Sequence, residues 1–249
     1  MAALADYAVT LLGITKCYGP TVAVDDLSLS VRAGELFAFL GPNGAGKTTT
    51  IKLITGLLRP DRGDIQVCGH HIGSNGIAAK AQLAYVPDQP FLYEKLTGRE
   101  FLYFVAELYG IDNRRRDEVL EGLIARLGIG DFLDHLTESY SHGMKQKVVL
   151  AAALLHDPTV LVIDEPMVGL DPRTIRAVKD LFVEHTRRGR TVFMSTHALD
   201  IAEAVADRIG IIHHGKLIAI GTLSELRARA RQEHSLEEIF LQLTEESDG

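Results

Sequence analysis

The sequence is poor in the features that would assign it to several large classes. Of its 249 residues only two are cysteine, Cys17 and Cys68, so no disulfide framework is available and a reducing compartment is expected. It lacks an excess of basic charge, with 26 Lys+Arg against 33 Asp+Glu and a formal net charge of −7. Binding to nucleic acid through general phosphate attraction is therefore disfavoured. The start, Met1-Ala2-Ala3-Leu4-Ala5-Asp6, has no cationic stretch before an apolar core, and no signal peptide is expected. The longest apolar run, Val148 to Leu155, falls far short of the roughly 20 residues that cross a bilayer, so no transmembrane segment of its own is expected. Aromatics are scarce, 16 in all. Yet Tyr85, Phe91, Tyr93, Phe101, Tyr103, Phe104 and Tyr109 crowd into one short stretch. A hydrophobic content of 46% with 24% charged residues excludes a disordered chain, and the length suits one large α/β domain or a domain with an inserted lobe.

What is present is concentrated in a few segments. Leu36-Phe37-Ala38-Phe39-Leu40 is fully apolar, as expected of a strand buried on both faces of a parallel sheet. Gly41-Pro42-Asn43-Gly44-Ala45-Gly46-Lys47-Thr48-Thr49 follows, and then a helical pattern. Strand, G-x-x-x-x-G-K-T and helix in that order form a P-loop. The glycines let backbone N–H groups crowd an anion, and the helix start adds unpaired donors. Lys47 supplies a charge for β/γ phosphates, and Thr48 a hydroxyl for Mg²⁺.

A second apolar strand, Val160-Leu161-Val162-Ile163, ends in Asp164 and Glu165. Parallel sheets gather their sites at the carboxyl ends of strands, so Asp164 is expected beside the P-loop, holding Mg²⁺ through water. Glu165, just past the strand, is free to polarise an attacking water. Tyr140-Ser141-His142-Gly143-Met144 precedes a helical stretch that ends before Pro158, with Ser141 a good N-cap. It is either an ordinary capped helix or a second anion site.

This ordered set resembles the ATP-binding subunits of ABC transporters over about residues 7 to 221. The resemblance implies a role for each matching residue. Tyr18 would stack on adenine, although a packed core tyrosine is the alternative. Asn43 to Thr49 would hold the ATP phosphates. Ser141, Gly143 and Met144 would form the signature that reaches ATP on a second chain. Asp171, in Gly169-Leu170-Asp171-Pro172, would be the D-loop acid as well as a helix cap. His197, after Ser195 and Thr196, would contact the γ-phosphate, or be a plain exposed histidine. Two departures stand out. His142 and Met144 replace the usual glycine and glutamine of the signature. Asp88 stands where the family has the Q-loop glutamine, with Gln89 next; either residue could serve, Asp88 in register or Gln89 after a small shift.

The implied architecture is an α/β P-loop NTPase core with a mostly parallel sheet, an N-terminal antiparallel β region and an inserted α-helical lobe. The core is expected at 1–89 and 138–221, the lobe at 90–137 and a helical tail at 222–249. Thr97-x-x-Glu100, Thr222-x-x-Glu225 and Ser235-x-x-Glu238 read as capping boxes. Phe101, Phe104, Val105 and Leu108 recur at helical spacing and are expected to form the lobe core; Phe91, Tyr93 and Tyr103 are candidates for contact with a membrane partner. Arg114-Arg115-Arg116 reads as a solvated loop or helix start, and His70-His71 and His213-His214 as surface residues. Leu236, Ile239, Phe240 and Leu243 form one apolar stripe, and this ending looks most like the ATPases of ABC-2 type exporters. The expected function is ATP hydrolysis, with ATP and Mg²⁺, by a motor subunit at the inner face of the cell membrane. Its partners would be an integral-membrane permease and a second ATP-binding subunit, in the simplest case another copy. The competing reading is a soluble ABC-type ATPase acting on nucleic acid, the ribosome or a cluster-assembly scaffold.

Overall fold

The computed structural model describes residues 6–229 and 235–248; the reading of the first five residues lies outside them. Two sheets organise the chain, and the short helices α2 (Gly76–Ala81) and α7 (Leu199–Val205) lie between strands. Strands β1 (Tyr7–Tyr18) and β2 (Thr21–Arg32) form an antiparallel hairpin, which β4 (Arg62–Val67) and the short β5 (His70–His71) extend in the order β2-β1-β4-β5. The larger sheet has the order β10-β9-β3-β8-β7-β6. It comprises β10 (Lys216–Gly221), β9 (Arg208–His213), β3 (Leu36–Leu40), β8 (Thr191–Thr196), β7 (Val160–Asp164) and β6 (Leu83–Val86). Only β10 is antiparallel to its neighbour.

Every residue of β3, β7 and β8 is buried. That is why these strands read as continuous apolar runs: both faces of a parallel sheet are covered. Alternation survives beneath the uniform burial. Leu36, Ala38 and Leu40 join one hydrophobic cluster, and Phe37 and Phe39 the other. On the second side Phe193 packs against both phenylalanines at 5.6 Å, closing the face that carries the antiparallel sheet and α1 (Lys47–Ile54). Truncation of one such buried ring costs about 3–5 kcal/mol.

The first cluster reaches from the sheet through α5 (His142–Leu155) and α6 (Pro172–Arg187) into α3 (Gly98–Leu108) and α4 (Asn113–Leu127). Here the structure corrects the expected lobe core. Leu102 and Ala106 are the buried apolar side chains of α3, whereas Phe104 is exposed and Leu108 is 67% exposed. Phe101 and Val105 are half-buried and pack against this cluster as expected, so the stripe straddles the edge of the buried face. The three arginines open α4 behind the Asp112 N-cap. Arg116 is not solvated: its guanidinium lies 3.7 Å from the Tyr103 ring centroid, so Tyr103 is half-covered. The Thr97 and Ser235 capping boxes form as expected, as does that of Thr222 before α8 (Leu223–Arg229). Leu236 and Ile239 of α9 (Leu236–Asp248) are fully buried. His213 is another correction, being buried at the end of β9. Among the described residues no helix is long and apolar enough to cross a membrane.

Candidate functional site

Strand order assembles the site. The carboxyl ends of β3, β8, β7 and β6 lie side by side, with Leu40 opposite Thr196, Ser195 opposite Asp164 and Ile163 opposite Val86. The P-loop leaves β3, His197 leaves β8, Asp164 and Glu165 end β7, and Asp88 follows β6. Three of these segments, distant in sequence, line one groove of about 220 Å³, and His197 stands beside it against Glu165. Its lining includes Asn43, Gly44, Gly46, Lys47, Thr48 and Thr49, faced by Asp88, Asp164 and Glu165. Ala45 is buried beneath the loop instead, and Gln89 is exposed outside the groove. Ala23, from β2, is a lining residue with no signature in the sequence.

The loop is glycine-rich for steric reasons. Gly46 has φ +108°, and a Cβ there would stand 2.4 Å from the Ala23 carbonyl oxygen. The Lys47 ammonium donates to the Gly41 carbonyl at 2.6 Å and the Pro42 carbonyl at 3.2 Å. Burial lowers its pKa, opposed by the charges of Glu165 and Asp164. The lysine is thus held at the loop by carbonyls that an anion's oxygens would replace.

Asp164 is fully buried. Desolvation raises its pKa, while bonds from Ser195 and Thr48 oppose the rise and the charges of Asp88 and Glu165 add to it. Ser195 Oγ donates to Oδ1, and Oδ2 has no hydrogen-bond partner among the described residues. A buried carboxylate oxygen without a donor is costly, and a hard cation or its bound water would satisfy it. The oxygen-only set of Thr48, Asp164 and Asp88 fits such an ion.

Glu165 adopts φ +51°, a left-handed conformation that costs a non-glycine residue about 1–2 kcal/mol. The turn is held by its N–H, which donates to the Ser195 carbonyl at 3.2 Å. As a result one carboxylate oxygen pairs with His197 Nδ1 at 3.0 Å and the other lies 3.9 Å from the Lys47 ammonium.

The remaining candidates lie outside the groove. Tyr18 is half exposed at the end of β1, near Lys16. Ser141 caps α5, accepting from the Met144 N–H at 3.3 Å, while the Met144 side chain packs on the first cluster. Asp171 caps α6 through the Thr174 N–H and pairs with Lys147 of α5 at 3.2 Å. Bonds from Thr174 and Lys147 hold its carboxyl well below the usual range. Lys147 and Ser195 were not singled out from the sequence, because both act through strand and helix neighbours that spacing does not reveal.

A phosphate loop, a buried acid at the next strand but one and a restrained glutamate beside it are the parts of a nucleotide hydrolase. The family model described as ABC transporter matches residues 24–168. The chain belongs to the ABC transporter family. It is 40% identical over 221 residues to the daunorubicin/doxorubicin resistance ATP-binding protein DrrA of Streptomyces peucetius, covering 89% of this chain and 67% of DrrA. It is 35% identical over 237 residues to the ABC-type transporter ATP-binding protein EcsA of Bacillus subtilis (strain 168), covering 95% and 96%. A solved structure described as the ATP-binding subunit of an ABC transporter superposes with a TM-score of 0.91 at 35% identity, covering 95% of this chain and 99% of the other. This ABC transporter subunit is an ATPase, with ATP as its substrate.

Proposed function

We propose that this ATPase is the motor of an exporter, driven by closure of two copies over ATP. In this reading Asn43 to Thr49 hold the phosphates of ATP, and Tyr18 stacks on the adenine. Ser141 and Gly143, with Met144 behind them, complete the phosphate site of the facing chain, and Asp171 steadies the turn next to it. Thr48, Asp164 through water, and Asp88 would hold a magnesium ion, which when bound neutralises charge on the phosphate oxygens. Glu165 accepts a proton from the attacking water. His197 steadies the Glu165 carboxylate and stabilises the transferred phosphoryl group. Hydrolysis removes the bridging phosphate and the pair opens.

The lobe, residues 90–137, transmits this motion from the core (1–89 and 138–221) to an integral-membrane permease, and the tail is 222–249. Phe91 and Tyr93, exposed and in edge contact at 5.9 Å, with Phe104 against Tyr93, offer the apolar surface for that partner. Such a subunit works at the inner face of the cell membrane. The resistance role printed for DrrA, together with the terminal likeness to ABC-2 type ATPases, favours export.

The observation that carries the reading is the restraint of Glu165 between His197 and Lys47 at the mouth of the phosphate groove. Glu165→Gln should bind ATP normally, lose turnover by about 10²–10⁴-fold and accumulate as a dimer with magnesium and ATP in size-exclusion chromatography. A monomeric Glu165→Gln protein at saturating nucleotide would defeat the dimer mechanism.

A further inference from the structure

The turn that joins Glu165 to the Asp171 cap is weakly held by its own backbone. The Val168 N–H donates to the Glu165 carbonyl at 3.4 Å and the Leu170 N–H to the Met167 carbonyl at 3.3 Å, both longer than an ordinary N–H···O bond. Val168 and Gly169 are exposed on its outer side. Glu165, at the head of the turn, keeps a left-handed backbone that strains any residue with a Cβ. Support for this segment therefore comes from outside it, and its inner side meets the first turn of α5.

His142 is the first residue of α5. Its ring fills the space beside Gly169: a Cβ on Gly169 would lie 2.7 Å from His142 Cδ2, 3.6 Å from Nε2 and 3.7 Å from Cγ. Nε2 is buried and has no hydrogen-bond partner among the described residues. A solvated imidazole would give that nitrogen to water, so the ring is packed in place as a wedge. Gly169, at φ +76°, is thus kept bare twice over, by its own backbone and by the ring. Met144, the other unusual signature residue, packs its side chain on the first cluster instead. A glycine at position 142, the usual residue of the signature, has no atom to place in this space.

We propose that His142 is a positioning residue for ATP hydrolysis: its ring wedges the Gly169 turn and, through that turn, fixes how Glu165 leaves β7. The inference rests on the reading of Glu165 as the proton acceptor. The contact is steric, and the atom nearest Gly169 is Cδ2. Asparagine places an amide atom where histidine has Cδ2; alanine places none. Displacing a reacting group by about an ångström costs up to about 10²-fold in rate.

The test is steady-state ATPase kinetics of the full chain, with the melting temperature and fluorescent-nucleotide affinity of each variant measured alongside. His142→Ala should lower kcat at least about tenfold and leave KM for ATP within about twofold. His142→Asn should recover kcat to within about threefold of the native value. A role in folding alone would lower the melting temperature and leave kcat per folded chain unchanged. Gly169→Ala completes a double-mutant cycle, because its Cβ collides with the ring only while the ring is present. It should cost at least about tenfold in the native chain and less than about threefold when added to His142→Ala. Native kcat in His142→Ala, equal impairment of His142→Asn and His142→Ala, or losses that simply multiply in the cycle would each overturn the proposal. Turnover retained by Glu165→Gln would instead remove the reading on which it rests, so the two failures are told apart.

Discussion

Gly143 and Gly169 approach so closely that a Cβ on Gly143 would lie 2.4 Å from the Gly169 carbonyl oxygen. The turn at the start of α5 and the turn before α6 are therefore interlocked by bare backbone. The neighbouring Lys147–Asp171 pair ties the same two helices together. Gly143→Ala must push the Gly169 turn away, and that turn follows Glu165 directly in sequence. We expect more than tenfold loss of ATPase activity with ATP affinity of the single chain unchanged, read by steady-state kinetics beside a fluorescent-nucleotide titration. An alanine variant with normal turnover would show that the contact has no bearing on catalysis.

His197 is held through Glu165, its N–H as well as its Nδ1 facing the same carboxylate oxygen. His197→Ala should lower kcat at least tenfold and leave KM for ATP within about twofold, since the P-loop contacts do not involve it. A change confined to KM would assign the histidine to substrate binding instead.

Asp88, just past the end of β6, lines the phosphate groove, whereas Gln89 is exposed outside it. Asp88→Ala should therefore shift the magnesium dependence of hydrolysis to higher concentration, while Gln89→Ala should leave it unchanged. Magnesium titrations of both variants decide the matter; the reverse pattern would require the loop to slide by one residue.

His156 and His185 both have pKa values lowered below 6.5, chiefly by desolvation, so each is buried neutral. The unfolded chain then binds more protons than the native one as pH falls through 6.5. The stability these neutral rings contribute is complete above that value and is lost below it, towards their lowered native values. Urea midpoints should drop between pH 7.5 and pH 5.5, and His156→Gln should flatten the decline. A midpoint independent of pH over this range would contradict burial of the neutral rings.

Phe91 is 73% exposed and Tyr93 half exposed, so neither contributes much to folding. Phe91→Ser with Tyr93→Ser should leave the melting temperature within about 2 °C and basal ATPase activity intact, yet abolish co-purification with the membrane permease proposed as its partner. Retained co-purification would move the membrane contact elsewhere on the lobe.

The loop and the acids that line the groove were legible because their pattern is local. Gly41 to Thr49 form one continuous loop between a strand and a helix, and Asp164-Glu165 terminate another strand, so residue order alone carries the pattern. Which of Asp88 and Gln89 lines the groove was not legible, since it depends on how the chain turns after β6. The lobe core was legible only in part, for a related reason: Phe101 and Val105 pack on it, Phe104 and Leu108 do not. Phe101, Phe104, Val105 and Leu108 satisfy helical periodicity, but so do Leu102 and Ala106, and only the position of α5 selects which stripe is buried. His213 was misplaced because a histidine beside a turn glycine looks solvated until the fold buries the end of its strand.

The sequence alone determined the elements and the kind of chemistry, because burial on both faces of β3, β7 and β8, the glycine loop and the helix caps are short-range constraints written in consecutive residues. Tertiary structure decided which of those residues meet. The adjacency of β3, β8, β7 and β6, the Ser195–Asp164 bond, the Gly143–Gly169 contact and the seat of His142 beside Gly169 all depend on strand order and helix packing. Those are set by the burial of the whole apolar surface at once, a property that no single segment contains.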